Sequence, residues 1–180
     1  MKNLIKVSIL RELLIQKQSG IDKRKGIYCW WFNSIAAQEI LSPLKLEQSI
    51  VSRIQKKIMN DGIEYWALYF GVSKDMLNRA KWHVLQEHTI TAVKYGTLST
   101  LRQTISALLN IPMSISENAV NQFIDANCYW EWEYNDMPEE RERLELSSSV
   151  CYPLNIKENR TLNKDSLCRL KQLRKSYKDY

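Results

Sequence analysis

Residues 26–32 read Gly-Ile-Tyr-Cys-Trp-Trp-Phe, seven positions without a charge, bounded by the basic run Lys23–Lys25 on one side and Asn33 on the other. The run is too short for a helix and rich in aromatic residues, which predicts a buried strand. Residues 65–72, Tyr-Trp-Ala-Leu-Tyr-Phe-Gly-Val, read the same way. Further along, Cys128, Trp130, Trp132 and Tyr134 alternate with Tyr129, Glu131 and Glu133, the two-residue period of a half-buried strand. The two tryptophans therefore read as core rather than as a stacking platform for bases. Together the three segments predict an α+β domain: a small, mainly antiparallel three-stranded sheet flanked by helices.

The helices are expected between and around these strands. Leu4, Ile5, Leu10, Leu13 and Leu14 give residues 4–15 an amphipathic helical spacing. Ser42-Pro43 opens another, with Leu46, Ile50, Ile54 and Ile58 at intervals of four until Asp61-Gly62. Ser73 is placed to cap a third, which carries Met76, Leu77, Ala80 and Val84. A fourth runs from about Leu98 to Asn110, and Ser114 with Glu117 forms a capping-box pattern before Val120, Phe123 and Ile124. Asp136 and Pro138 restart a helix to about Ser147. The segments near 42–60 and 98–127 read as helical insertions in the core.

At 180 residues the chain is the size of one domain, and 44% hydrophobic positions with 6 Trp, 9 Tyr and 3 Phe exclude disorder as its main state. No apolar run approaches the ~20 residues a membrane helix requires, and Lys2, Lys6 and Arg11 interrupt any secretory leader. Cys29, Cys128, Cys151 and Cys168 lie far apart without a paired spacing, which fits neither a zinc framework nor a disulfide scaffold. A cytoplasmic setting is expected. The net charge is +6, and residues 161–180 hold six Lys and Arg against two Asp. This basic C-terminal tail is either a nucleic-acid contact or a solvated helix. Lys25, Lys74, Lys81, Arg102, Arg169, Arg174 and Lys175 are the candidate phosphate contacts.

Four short elements carry the candidate chemistry. Gly26-Ile27-Tyr28 lies on the first strand and Tyr69-Phe70-Gly71 on the second; Arg79 follows Tyr69 by ten residues and His83 follows Arg79 by four. Glu142 and Asn155, thirteen apart, occupy the stretch ERERLELSSSVCYPLN at residues 140–155. In this order the elements resemble the GIY-YIG endonuclease family, over about residues 25–160. The chain departs from the family's pattern in the long gap between the two tyrosine motifs, in reading YFG at the second, and in the inserted helical stretch near 98–127.

The resemblance implies a metal-dependent endonuclease acting on DNA, with RNA left open as a substrate. It implies Tyr28 as the general base or proton relay, Tyr69 orienting the nucleophile or a phosphate oxygen, and His83 and Asn155 as supports. The residue types fit on their own terms. Arg79 offers a fork of donors to phosphate oxygens. Glu142 suits one Mg²⁺ or Mn²⁺, which take few carboxylates plus water and substrate oxygens. Each also has a plainer reading: Asp75, Arg79 and His83 at i, i+4 and i+8 as a surface ladder, and Glu142 as part of an acidic face with Glu139, Glu140 and Glu145. Glu145 is the rival metal ligand. Two other functions stay open at this point, a catalytically inactive nucleic-acid-binding module on the same fold and an adaptor that binds acidic partners through the tail. Convergence of the named side chains on one cleft is what separates them.

Overall fold

A computed structural model describes residues 1, 3–147, 149–156 and 162–179. In chain order its elements are β1 (Asn3–Lys6), α1 (Val7–Ile15), β2 (Gly26–Asn33), α2 (Ser34–Leu41), a 3-10 turn (Ser42–Leu44), α3 (Gln48–Val51), β3 (Lys56–Ile58) and β4 (Glu64–Ser73). These are followed by α4 (Met76–Val84), α5 (Ile90–Lys94), α6 (Thr100–Leu108), a 3-10 turn (Met113–Ile115), α7 (Glu117–Asn127), β5 (Cys128–Tyr134), α8 (Pro138–Ser147) and α9 (Lys164–Ser176). Among the described residues no helix is long and apolar enough to cross a membrane.

The strands form one antiparallel sheet in the order β1-β5-β2-β4-β3. Its centre is the expected trio β5-β2-β4; the sheet has five strands rather than three because a short strand is added at each edge. On one side, the N-terminal segment is not wholly helical: Asn3–Lys6 pairs with β5 before α1 begins. On the other, the four-residue repeat of Leu46, Ile50, Ile54 and Ile58 is not one helix. Lys45 takes a left-handed backbone (φ 49°), α3 spans only Gln48–Val51, and Ile58 ends in β3 with 73% of its surface exposed.

Each face of the sheet carries its own core. One, containing Tyr28, Trp30, Phe32, Trp66, Leu68, Trp130 and Trp132, is covered mainly by helices, including α1, α2, α4, α6, α7 and α9. Trp130 and Trp132 are buried there and stack at 4.9 Å, as core residues. The other is smaller, with Ile27, Cys29, Trp31, Ala67, Phe70 and Tyr152, and is covered by α8 and residues 149–156. Cys29, Cys128 and Cys151 are buried free thiols; Cys168 is exposed.

Several caps differ from those expected. Asp75, not Ser73, caps α4, accepting from Asn78 N at 2.9 Å, while Ser73 Oγ holds the turn before it. Ser114 bonds Asp179 rather than α7, and Glu117 accepts from His88 N at 2.9 Å. The basic C-terminal segment is the helix α9, capped by Asn163 and seated on the core through Leu170, with Leu167 and Leu173 beside it. Residues 161 and 180 lie outside the described residues.

Candidate active site

The site is built on β2 and β4, and two local features of the backbone make it. Tyr28 sits opposite Gly71 in the β2–β4 register. The end of its ring lies over that glycine, where a Cβ would come within 2.5 Å of the Tyr28 hydroxyl and 2.6 Å of Cζ. The tyrosine of one motif thus requires the glycine of the other. The second feature is a bulge. Trp30 pairs with Tyr69 but Trp31 with Ala67, so Leu68 is an extra residue in β4. Strict alternation would put Tyr69 on the face opposite Leu68; the bulge instead keeps Tyr69 on the same face, with its ring 6.3 Å from that of Tyr28.

From α4, Arg79 reaches the cleft with its guanidinium 4.6 Å over the Trp82 ring. His83, one turn on, is fully buried: Nε2 lies 2.9 Å from the Tyr28 hydroxyl and Nδ1 lies 2.7 Å from Ser99 Oγ. Burial, reinforced by the charges of Arg79 and Arg102, holds the imidazole well below its usual pKa, so it is neutral. The Tyr28 and Tyr69 rings lie side by side, tilted by 33° to each other. Burial pushes the Tyr28 phenol well above its usual range, Tyr69 adds to this, and Arg79 opposes it.

Asn155 enters from the other side. Its Oδ1 accepts from Phe70 N at 3.0 Å and its Nδ2 donates to Phe70 O at 2.9 Å. Together with Leu154 N, which donates to Leu68 O at 2.9 Å, it continues the pairing of β4 where β3 has ended. Glu142 lies on α8 over the same edge. Tyr28, Tyr69, Arg79, Glu142, Asn155 and Thr100 line one cavity of about 220 Å³. His83 stands directly behind it.

The rival Glu145 is engaged elsewhere, accepting from Tyr152 Oη at 2.7 Å and pairing with Arg141 at 3.2 Å. Among the described residues no group of three or more His, Cys, Asp or Glu side chains is assembled for a metal. One carboxylate beside hard oxygen donors is nevertheless the set a Mg²⁺ or Mn²⁺ ion shared with a phosphate requires, so Glu142 fits that ion and does not fit zinc.

A family model for the GIY-YIG catalytic domain matches residues 26–176, most of the chain. The chain belongs to the GIY-YIG family. Membership makes it one of a family of nucleases, hydrolases that act on DNA. No match is found among curated proteins or solved structures. The GIY-YIG match runs past Asn155 into α9.

Around this GIY-YIG centre, Lys25, Lys74, Lys81 and Lys175 are exposed and Arg169 partly so. Arg102 is a correction: it is 1% exposed, donating to His88 Nε2 at 2.7 Å, His83 O at 3.0 Å and Asn121 Oδ1 at 2.8 Å, so its guanidinium is spent inside the protein and offers nothing to DNA. Arg174 also turns inward, donating to Gln103 at 2.6 Å, with its charge felt at Tyr69. Ser99, which sequence reasoning passed over, is the buried partner of His83. Its place just before the helical spacing of residues 100–108 marks it only as a cap.

Proposed function

We propose that this chain is a divalent-metal-dependent endonuclease that hydrolyses DNA phosphodiester bonds in the cleft between β4, α4 and α8. The catalytic core spans about residues 25–160, and the basic segment 161–180 supports it. The reading rests on one observation above the rest: Tyr28, Tyr69, Arg79, Glu142 and Asn155, scattered over 128 positions of sequence, line a single cavity. A surface ladder or an acidic face would not bring them together.

Arg79 binds the scissile phosphate, its fork of donors matched to two oxygens and its plane held by Trp82. Glu142 holds one Mg²⁺ or Mn²⁺ ion; such an ion, when bound, offsets the charge that builds on the phosphate and acidifies water. Tyr28, which lines the cavity, takes the proton of the attacking water as general base, or relays it by releasing its own hydroxyl proton to solvent in the cleft. His83 is too weak a base, being neutral and beside two cations, to serve as the proton acceptor. It steadies the Tyr28 oxygen instead. Asn155 acts through the backbone, pinning Phe70 and with it Tyr69.

Duplex DNA would approach past a larger groove of about 680 Å³ that shares Arg79 and Val72 with the cleft and adds Lys74, Asn78 and Trp82. Lys25, Lys81, Arg169 and Lys175 add positive charge to the surface. The buried free thiols Cys29, Cys128 and Cys151 are in keeping with a reducing, cytoplasmic setting.

The test is a plasmid-nicking assay with Mg²⁺ or Mn²⁺, run beside a DNA-binding assay. Tyr28→Phe keeps the ring and removes the hydroxyl, and Arg79→Ala removes the clamp; each is expected to cut the rate at least ~10²-fold. Tyr28→Phe should still bind DNA. Salt-sensitive binding with no cleavage by the unaltered protein under any divalent ion would return the inactive binding module in place of the nuclease.

A further inference from the structure

Behind Tyr28 lies a buried chain of hydrogen bonds that ends at a residue outside the cleft. The Tyr28 hydroxyl is 2.9 Å from His83 Nε2, and His83 Nδ1 is 2.7 Å from Ser99 Oγ. All three side chains are at most 1% exposed. A neutral imidazole carries its one proton on either Nδ1 or Nε2, and the two choices have opposite effects on the tyrosine. With the proton on Nδ1, Nε2 is an acceptor that holds the phenol protonated. With the proton on Nε2, the imidazole donates to the tyrosine oxygen and favours the phenolate.

We infer that Ser99 sets this choice: it is a positioning residue whose hydroxyl donates to His83 Nδ1 and so fixes the Nε2–H tautomer that donates to Tyr28. Ser99 is the N-cap of α6, and its Oγ already accepts from Arg102 N at 3.4 Å. The oxygen keeps a second lone pair and its O–H, and His83 Nδ1 at 2.7 Å is the acceptor within reach of that O–H. The opposite tautomer would make Oγ a double acceptor and leave a buried hydroxyl hydrogen with no place to go. The donors thus run in one direction, from Ser99 through His83 to the Tyr28 oxygen.

The charged and titratable groups facing this chain are Tyr69 on β4, Arg79 on α4, Arg102 on α6 and Glu142 on α8. Burial first, and then the two arginines, disfavour imidazolium, and this is why a fixed neutral tautomer, rather than a charged donor, does the work here. The inference rests on the nuclease reading for its consequence but not for its geometry.

Two readouts separate the two claims. Long-range ¹⁵N–¹H spectra of the histidine rings in the full-length, unaltered protein should give His83 as the Nε2–H tautomer at pH 7, without need of substrate. A Nδ1–H tautomer, or an imidazolium, overturns the inference whether or not DNA is cut. Ser99→Ala should mix the two tautomers, and Ser99→Thr, which keeps both hydroxyl and cap, should restore one. In cleavage, Ser99→Ala is expected to lower kcat about tenfold, with the basic shift of its pH profile near one unit and KM for DNA unchanged. Ser99→Thr should regain most of that. If Ser99→Ala leaves the tautomer and the pH profile as they were, Ser99 is only a cap and the inference fails. If the Nε2–H tautomer is found and lost as expected but no DNA is cut, the hydrogen-bond chain stands and the nuclease reading falls.

Discussion

The two faces of the sheet contribute different things to one cleft. The helix-rich face supplies Tyr28, Tyr69 and His83, together with Arg79 on α4, and ties Tyr28 through His83 to Ser99 in a hydrogen-bond chain among buried aromatic rings. The smaller face supplies Glu142 and Asn155, carried by α8 and the segment after it, whose Leu146, Val150 and Tyr152 pack on Ile27, Cys29 and Phe70. The meeting line is the edge of β4 beyond the end of β3. Groups that hold or move protons are set in the rigid core, while the groups that meet the ion and tie the edge come from the thinner layer. Changes on the first face should therefore disturb chemistry through sub-ångström displacement, and changes on the second through loss of a single contact.

The sharpest way to break the contrast is Gly71→Ala. A methyl group there would occupy the space of the Tyr28 hydroxyl, at 2.5 Å, so the ring must leave its place. Cleavage should fall at least as far as in Tyr28→Phe, with about 1–3 kcal/mol of stability lost in denaturant melts. A clearly larger loss of stability in Gly71→Ala than in Tyr28→Phe, which keeps the ring and gives up only the hydroxyl's bond to His83, would support the close fit between the two motifs.

Asn155→Ala probes the second face. It would leave the buried N–H and C=O of Phe70 without their present partners, at a cost of about 1–3 kcal/mol in a urea titration. Activity should drop less than in Tyr28→Phe and respond to Asn155→Asp or Asn155→Gln according to how well each re-pairs Phe70.

The smallest expected effect is on stability against pH. His83 and His88 both have folded-state pKa values below the ordinary value of 6.5, His88 at about 4, each chiefly because burial disfavours the cation. The unfolded chain therefore binds protons that the folded chain refuses as pH falls below about 6.5. Their contribution to stability is complete above that value and is lost on acidification, down to about 4 for His88. Urea midpoints should fall steadily from pH 7 to pH 5, and less steeply in His88→Gln.

The same contrast explains what was legible in the sequence. β2, β4 and β5 are dense in aromatic and β-branched residues, and period-two or continuous apolar patterns survive at the centre of a sheet. The edge strands β1 and β3 have only four and three residues and no such pattern. Ile50, Ile54 and Ile58 fall at helical intervals yet belong to a helix, a loop and a strand in turn. α2 did carry a signal, Asn33 as a cap followed by Ala36, Ala37, Ile40 and Leu41, but it was overshadowed by Ser42-Pro43. In the site, the spacing of Tyr28, Tyr69, Arg79 and Glu142 was readable as pattern. The bulge at Leu68 that turns Tyr69 inward was not, because it adds no unusual residue to the sequence. The burial of Arg102 was hidden too, since Asn121, its acceptor on α7, comes from a distant segment.

The central claim is that the two faces meet in one hydrolytic centre, and the pair Glu142→Gln and Glu145→Gln tests it most directly. The two carboxylates lie on one helix almost a turn apart, yet Glu142 lines the cleft while Glu145 is bonded to Tyr152 and Arg141. With Mg²⁺ or Mn²⁺, Glu142→Gln should cut DNA at least ~10²-fold more slowly than the unaltered protein, and Glu145→Gln should remain active. Full activity in Glu142→Gln would contradict the account, and loss confined to Glu145→Gln would move the ion out of the cleft described here.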